Sequence, residues 1–176
     1  MADLYITQEE YDDLVEELVL KVADDHYDFD TIICLARGGM RVGDVFSRVH
    51  DMPLAILAAS SYRKAAGTEQ GELDIAQFIT KTGGEIAGKV LLVDDMVDSG
   101  VTINKVIAHL KKQYPAITEI RVAVLWWKSH SECVPDYYCE FLTNNPWIHQ
   151  PFARYDAMGI ERLREHRFDT DQLIVD

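Results

Sequence analysis

Hydrophobic and polar residues alternate along the chain in two distinct periods. Thr7-x-x-Glu10 reads as a capping box, with Ile6 and Tyr11 spaced to staple it, and Tyr11, Leu14, Val15, Leu18, Val19 and Val22 recur on one helical face. The spacing predicts a first helix over Gln8 to Asp25. Thr31 to Ala36 is a short β-branched apolar run that stops at Arg37-Gly38-Gly39 and leads into a helical pattern through Val42, Val45, Phe46 and Val49. Pro53 to Ala59 and Lys89 to Val93 read as buried strands, the latter ending in Asp94-Asp95. A helix then spans Thr102 to Tyr114, closed by Pro115, and Glu119 to Trp127 and Tyr137 to Leu142 supply two more strands.

Continuous apolar strands that alternate with helices predict an α/β fold: a central, mostly parallel sheet flanked by helices, with ligands beyond the carboxyl ends of the strands. The informative loops are therefore those after Ala36, Ala59, Val93 and Trp127. Ser60 to Gly88 is a long polar stretch with Gly67, Gly71, Gly83 and Gly84. It suits a flexible lid or, equally, a surface excursion with a small β-ribbon around Gln77 to Thr80. At 176 residues the chain reads as one domain, 1–176, able to bury about 70% of its unfolded surface without disulfides or a structural metal.

Charge narrows the choice of ligands. Seventeen Lys and Arg against 30 Asp and Glu give a net charge of −13, which repels nucleic-acid backbones and acidic membrane surfaces. A polyphosphate ligand then needs a local device: backbone amides, one or two placed cations, or Mg²⁺ brought in by carboxylates. The opening MADLYITQEE lacks a basic start and an apolar stretch, and no apolar run has the length of a membrane span, so the expected location is the cytoplasm. Cys34, Cys133 and Cys139 form no C-x-x-C pair and read as packing residues in a reducing compartment.

The device lies in Val90-Leu-Leu-Val-Asp-Asp-Met-Val-Asp-Ser-Gly-Val-Thr102, where a buried strand delivers two adjacent carboxylates, then a third, before a small-residue turn opens a helix. Backbone N–H groups of Asp98, Ser99, Gly100, Val101 and Thr102, with the hydroxyls of Ser99 and Thr102 and the positive helix end, suit a phosphate without any side-chain cation. Asp94 and Asp95 beside them suit sugar hydroxyls and Mg²⁺. A solvated acidic turn with Asp98 as a plain N-cap would explain a lone D-S-G, but not the buried strand, paired acids, glycine and hydroxyls in register.

The string resembles the signature of the type I phosphoribosyltransferase family: four apolar residues, two acidic, two variable, then D/E-T/S-G-x-T. The resemblance implies a 5-phosphoribosyl-1-pyrophosphate site, with Asp94 and Asp95 on the ribose hydroxyls and Asp98 to Thr102 around the 5′-phosphate. It places Arg37, Gly38 and Gly39 of L-A-R-G-G on the pyrophosphate, in a loop that often carries a non-proline cis peptide. It also sets Ser61 and Tyr62 at the start of a flexible loop that closes over the reacting centre. Arg63 and Lys64 suit added charge near the leaving group or, equally, a solvated loop face.

Toward the C-terminus, Lys128 at a strand end and the string Asn145-Pro-Trp-Ile-His-Gln-Pro-Phe152 resemble the 6-oxopurine branch, above all its compact xanthine–guanine type. By that likeness residues 128–156 form a hood over the base: Lys128 donates to purine O6, Trp147 stacks on the ring, and the Ile148 backbone meets the 2-position edge. An ammonium favours a carbonyl oxygen over adenine's amino group. Related enzymes carry an acid directly after Q-P-W, whereas this chain has Ala153, with Asp156 three residues later, which leaves guanine, xanthine and hypoxanthine open. Asp98 is the implied general base, the cofactor is Mg²⁺, and the implied assembly is a homodimer or homotetramer. A zinc site from His130, Cys133, Cys139 and His149 fits no common spacing, and neither a G-x-S-x-G elbow nor a G-x₄-G-K-[ST] loop occurs. The rival reading, a non-catalytic phosphoribosyl pyrophosphate sensor that binds nucleic acid, requires a basic face. The basic residues here are interleaved with acids, as in Glu161 to Arg167.

Overall fold

The computed structural model describes residues 3–63, 70–156 and 158–171. In chain order the elements are β1 (Leu4–Tyr5), α1 (Gln8–Asp24), β2 (Thr31–Ala36), α2 (Gly39–Val49), β3 (Leu54–Arg63), β4 (Gln70–Ile75), β5 (Gly88–Val97), α3 (Val101–Gln113), β6 (Ile117–Lys128), β7 (Tyr137–Leu142), β8 (Ile148–His149), a 3₁₀ turn (Ala153–Asp156) and α4 (Ile160–Asp171). They divide into two compact units, residues 13–145 and the chain ends 1–12 with 146–176.

The larger unit is built on a six-stranded sheet of order β4-β3-β2-β5-β6-β7, parallel throughout except for the antiparallel edge strand β4. The central strands β2 and, over Val90 to Val93, β5 are apolar and buried on both faces, as parallel strands covered from both sides are. Ile33, Leu35, Val90, Leu92, Val122 and Val124 share a core with Ile103, Val106 and Leu110 of α3. The alternate residues point the other way, where a Cβ on Gly43 of α2 would lie 2.7 Å from Cys34 Cβ. α1 lies along β7, its Lys21 Nζ donating to Tyr138 O at 2.9 Å, with Val15, Leu18, Val19 and Val22 buried. Cys34 and Cys133 are buried and all three thiols are free, in keeping with their reading as packing residues.

Two strands outrun their sequence patterns. β5 does not end at Val93: Asp94 pairs with Val124, Met96 with Trp126 and Val97 with Trp127, so the acid pair sits inside the strand. Likewise β3 continues past Ala59 to Arg63, because β4 pairs with it through Ala59↔Ile75, Ser60↔Asp74 and Ser61↔Leu73. The polar segment therefore carries its ribbon earlier than expected, and Thr80 makes only an isolated bridge to Ile56.

In the smaller unit β1 pairs in parallel with β8, Leu4 against Ile148 and Tyr5 against His149. The Tyr5 and His149 rings stack at 4.3 Å, and Tyr11 meets Phe152 edge-on at 5.4 Å. The Thr7 box is formed as read: Glu10 N–H donates to Thr7 Oγ1 at 3.2 Å and Thr7 N–H to Glu10 Oε2 at 2.8 Å.

Candidate active site at the carboxyl ends of the strands

Because β2 and β5 are hydrogen-bonded neighbours, the loops that leave their carboxyl ends meet. Ala36–Arg37 is a cis peptide, after which the chain turns through Gly38 into α2, with the Arg37 side chain exposed. Gly38 is pressed against the acids: a Cβ there would lie 2.5 Å from Asp95 Oδ1 and 2.9 Å from Asp94 Oδ1. Gly39 donates its N–H to Asp94. Burial, and then the Asp95 carboxylate beside it, push the Asp94 acid well above the usual carboxylate range. Both carboxylates also brace the strand, Asp94 Oδ1 accepting from Asp95 N–H at 2.9 Å and Asp95 Oδ1 from Met96 N–H at 2.8 Å.

β5 hands over to α3 through Asp98, Ser99 and Gly100. Gly100 takes the left-handed conformation (φ +82°), and a Cβ there would lie 2.5 Å from the backbone nitrogen of Cys133. Ser99 Oγ accepts from Val101 N–H at 3.4 Å, and Thr102 falls in the first turn of α3. Neither α2 nor α3 has a side-chain cap or an acidic residue in its first turn, whereas α1 carries Glu9 and Glu10 there. In so acidic a chain, two helices that open at one spot with no acidic residue in either first turn make a place for anions.

Lys128, the last residue of β6, is only 5% exposed, and its Nζ lies 3.4 Å from Asp98 Oδ1. His130 Nε2 approaches the same oxygen at 2.9 Å. Sequence reasoning weighed His130 only for zinc and missed this pairing. Nothing in the order of residues announces it, since the contact spans the β5–α3 and β6–β7 loops. Among the described residues no group of three or more His, Cys, Asp or Glu is gathered for a metal ion. In the smaller unit the Ile148 side chain is buried and Trp147 is 56% exposed, its carbonyl accepting from Leu4 N–H at 2.9 Å. The side chains of Ser61 and Tyr62, and all of Lys64, lie outside the described residues.

Such a site defines the class of parallel α/β proteins that hold phosphorylated ligands beyond the carboxyl ends of their strands. The family model described as the phosphoribosyl transferase domain matches residues 7–157, and the chain belongs to that family. It is similar to the purine phosphoribosyltransferase of Pyrococcus horikoshii, with 31% identity and a TM-score of 0.70 over 86% of this chain and 94% of that one. The xanthine-guanine-hypoxanthine phosphoribosyltransferase of Helicobacter pylori shares the fold (24% identity, TM-score 0.74, 94% of this chain and 100% of that one). A hypoxanthine/guanine phosphoribosyltransferase of Methanocella paludicola is 26% identical over 118 residues, which is 63% of this chain but only 59% of that relative's length.

Proposed function

We propose that the protein transfers the 5-phosphoribosyl group of phosphoribosyl pyrophosphate to a 6-oxopurine, giving the nucleoside monophosphate and pyrophosphate, a purine-salvage reaction. One observation carries this reading: the N-termini of α2 and α3, neither with an acidic residue in its first turn, open beside the Asp94–Asp95 pair on adjacent strands. Those are the two anion sites and the hydroxyl acceptor that a ribose bearing a 5′-phosphate and a 1-pyrophosphate requires. In the reaction the C1′–O bond to pyrophosphate breaks and its electron pair leaves with pyrophosphate. Purine N9 bonds to C1′, and the proton the base loses passes to Asp98.

Site geometry within the larger unit and family likeness support the assignments to Arg37, Gly38, Asp98 to Thr102 and Lys128; family likeness alone supports those to Trp147 and Ile148. Arg37 and Gly38 take the pyrophosphate, Asp98 to Thr102 the 5′-phosphate, and Lys128 the purine O6; Trp147 stacks on the base and the Ile148 backbone meets its edge. Gly39 serves the pyrophosphate loop by orienting Asp94, since its N–H is given to that carboxylate. Asp94 and Asp95 suit Mg²⁺: two adjacent, half-buried carboxylates, of which Asp94 is pushed toward its neutral form by burial and by the Asp95 charge, gain from a shared cation, and Mg²⁺ is commonly held by one or two carboxylates plus substrate phosphates. Bound there, the ion would supply positive charge for the departing pyrophosphate. No described helix is long and apolar enough to cross a membrane, and the free thiols suit a reducing cytoplasm. A homodimer or homotetramer is the assembly the family likeness favours.

The test is product formation from phosphoribosyl pyrophosphate and Mg²⁺ with guanine, xanthine, hypoxanthine, adenine, uracil and orotate offered separately. Turnover is expected with 6-oxopurines alone, and Lys128→Ala should lower guanine kcat/KM by about tenfold or more. Tight phosphoribosyl pyrophosphate binding without turnover of any base would overturn the reading in favour of a sensor.

A further inference from the structure

Two nitrogens crowd one oxygen of Asp98: Lys128 Nζ lies 3.4 Å and His130 Nε2 2.9 Å from Oδ1, within ion-pair reach. His130 sits in a turn closed by Ser131 N–H donating to Lys128 O at 3.0 Å. The turn is fastened to the phosphate loop, because Glu132 N–H donates to Ser99 O at 2.9 Å and Gly100 lies hard against Ser131 and Cys133. Ser131 Oγ braces it further, accepting from Cys133 N–H at 3.0 Å and donating to Cys133 O at 2.8 Å. The imidazole is thus carried by a backbone already tied to the loop that carries its carboxylate.

Resting on the reaction proposed above, we infer that His130 is a positioning residue that pins Asp98 Oδ1 and so keeps Oδ2 turned toward the base as it loses its proton. Lys128 cannot do this alone once a 6-oxopurine arrives. Its ammonium is then drawn to the purine O6, and its contact with Asp98, already the longer of the two, weakens. His130 has no such second duty: 43% exposed, it holds the carboxylate at the shorter distance whether or not Lys128 turns away. An Asp side chain left to rotate presents its basic oxygen for a smaller fraction of the time, and proton transfer is sensitive to that geometry.

The experiment measures single-turnover rates with guanine, so that product release does not mask chemistry, in wild type, His130→Ala, His130→Gln and, as a floor, Asp98→Asn. His130→Ala should slow the chemical step about tenfold and leave KM for phosphoribosyl pyrophosphate within about twofold, since the backbone tie from Glu132 to Ser99 survives the substitution. His130→Gln, which keeps an N–H donor, should recover most of the rate. A His130→Ala rate equal to wild type overturns the inference. So does a loss shared equally by the Gln variant, or one that appears in KM rather than in the chemical step. If wild type turns over no base at all, the proposed function falls and this inference with it. Wild-type turnover with an indifferent His130 removes the inference alone.

Discussion

At the scale of single residues, two glycines in the site serve opposite ends, and substituting them should separate function from stability. A methyl group on Gly38 would collide with Asp95 Oδ1 and crowd Asp94 Oδ1, side-chain atoms that can give way at the cost of their bonds from the Met96 and Asp95 N–H groups. The backbone there is ordinary helical conformation (φ −53°), so the fold has little reason to resist. Gly38→Ala should shift Tm by no more than a few degrees yet raise KM for phosphoribosyl pyrophosphate about tenfold or more, because the displaced carboxylate is one of the pair proposed above to hold the ribose and Mg²⁺. Gly100 is different: its φ of +82° is costly for any other residue, and the methyl would meet the Cys133 backbone, which cannot swing aside. Gly100→Ala should cost about 1–3 kcal/mol in chemical denaturation, whatever it does to turnover. If both variants lost stability equally, Gly38 would owe its place to packing rather than to the ligand. Both glycines stand out in the sequence as members of motifs, but which neighbour forbids a side chain at each is visible only in three dimensions.

At the scale of elements, the most legible pieces were those whose local signal was complete. β2 and β7 keep the boundaries their apolar runs predict, and α1 starts at its capping box. β5 was read too short because two acids break an apolar run, although hydrogen bonding to β6 carries the strand through them. β1 and β8, two residues each, are too short to show a period, and β4 is set by its pairing with β3. The end of α1 is another long-range feature. Asp25 follows the helix, where the dipole disfavours an acid, yet Tyr137 Oη donates to its carboxylate at 2.7 Å and Arg121 Nη1 at 2.6 Å. The Tyr137 bond, and after it Arg121, hold the Asp25 acid below its usual range. A depressed folded-state value means that this stabilisation is complete above the unfolded value of about 4 and is lost as pH falls through the folded one. Asp25→Asn should therefore have a lower Tm than wild type by a constant margin between about pH 5 and pH 7, a margin that closes below about pH 4. A margin unchanged down to pH 3 would mean the Asp25 charge contributes nothing.

At the scale of the whole molecule, the excess of acids and the function proposed for them pull in different directions. A net charge of −13 on a chain of 176 residues opposes its own compaction and the approach of a polyanion. The carboxyl edge of the sheet answers locally, with two helices whose first turns contain no acid, the exposed Arg37 and the buried Lys128, and no global excess of base is needed. Elsewhere in the chain charges meet in exposed pairs such as Lys21–Glu17 at 2.6 Å, Arg48–Asp44 at 2.9 Å and Arg164–Glu161 at 3.1 Å. Pairs of that kind contribute little each, at most about 1 kcal/mol, and lose that in salt, whereas repulsion among unpaired acids is summed over the entire surface. Screening should therefore remove more repulsion than attraction. Tm of the unliganded protein should rise as KCl increases from about 10 mM to about 500 mM, over which the Debye length shrinks from about 30 Å to under 8 Å. Chloride is the right salt, since sulfate strengthens apolar burial and would raise Tm for another reason. A Tm that fell with KCl would mean that the ion pairs, and the Arg121 cluster with Asp25 and Glu119 above all, outweigh the self-repulsion. The acid surface would then stabilise the fold rather than burden it.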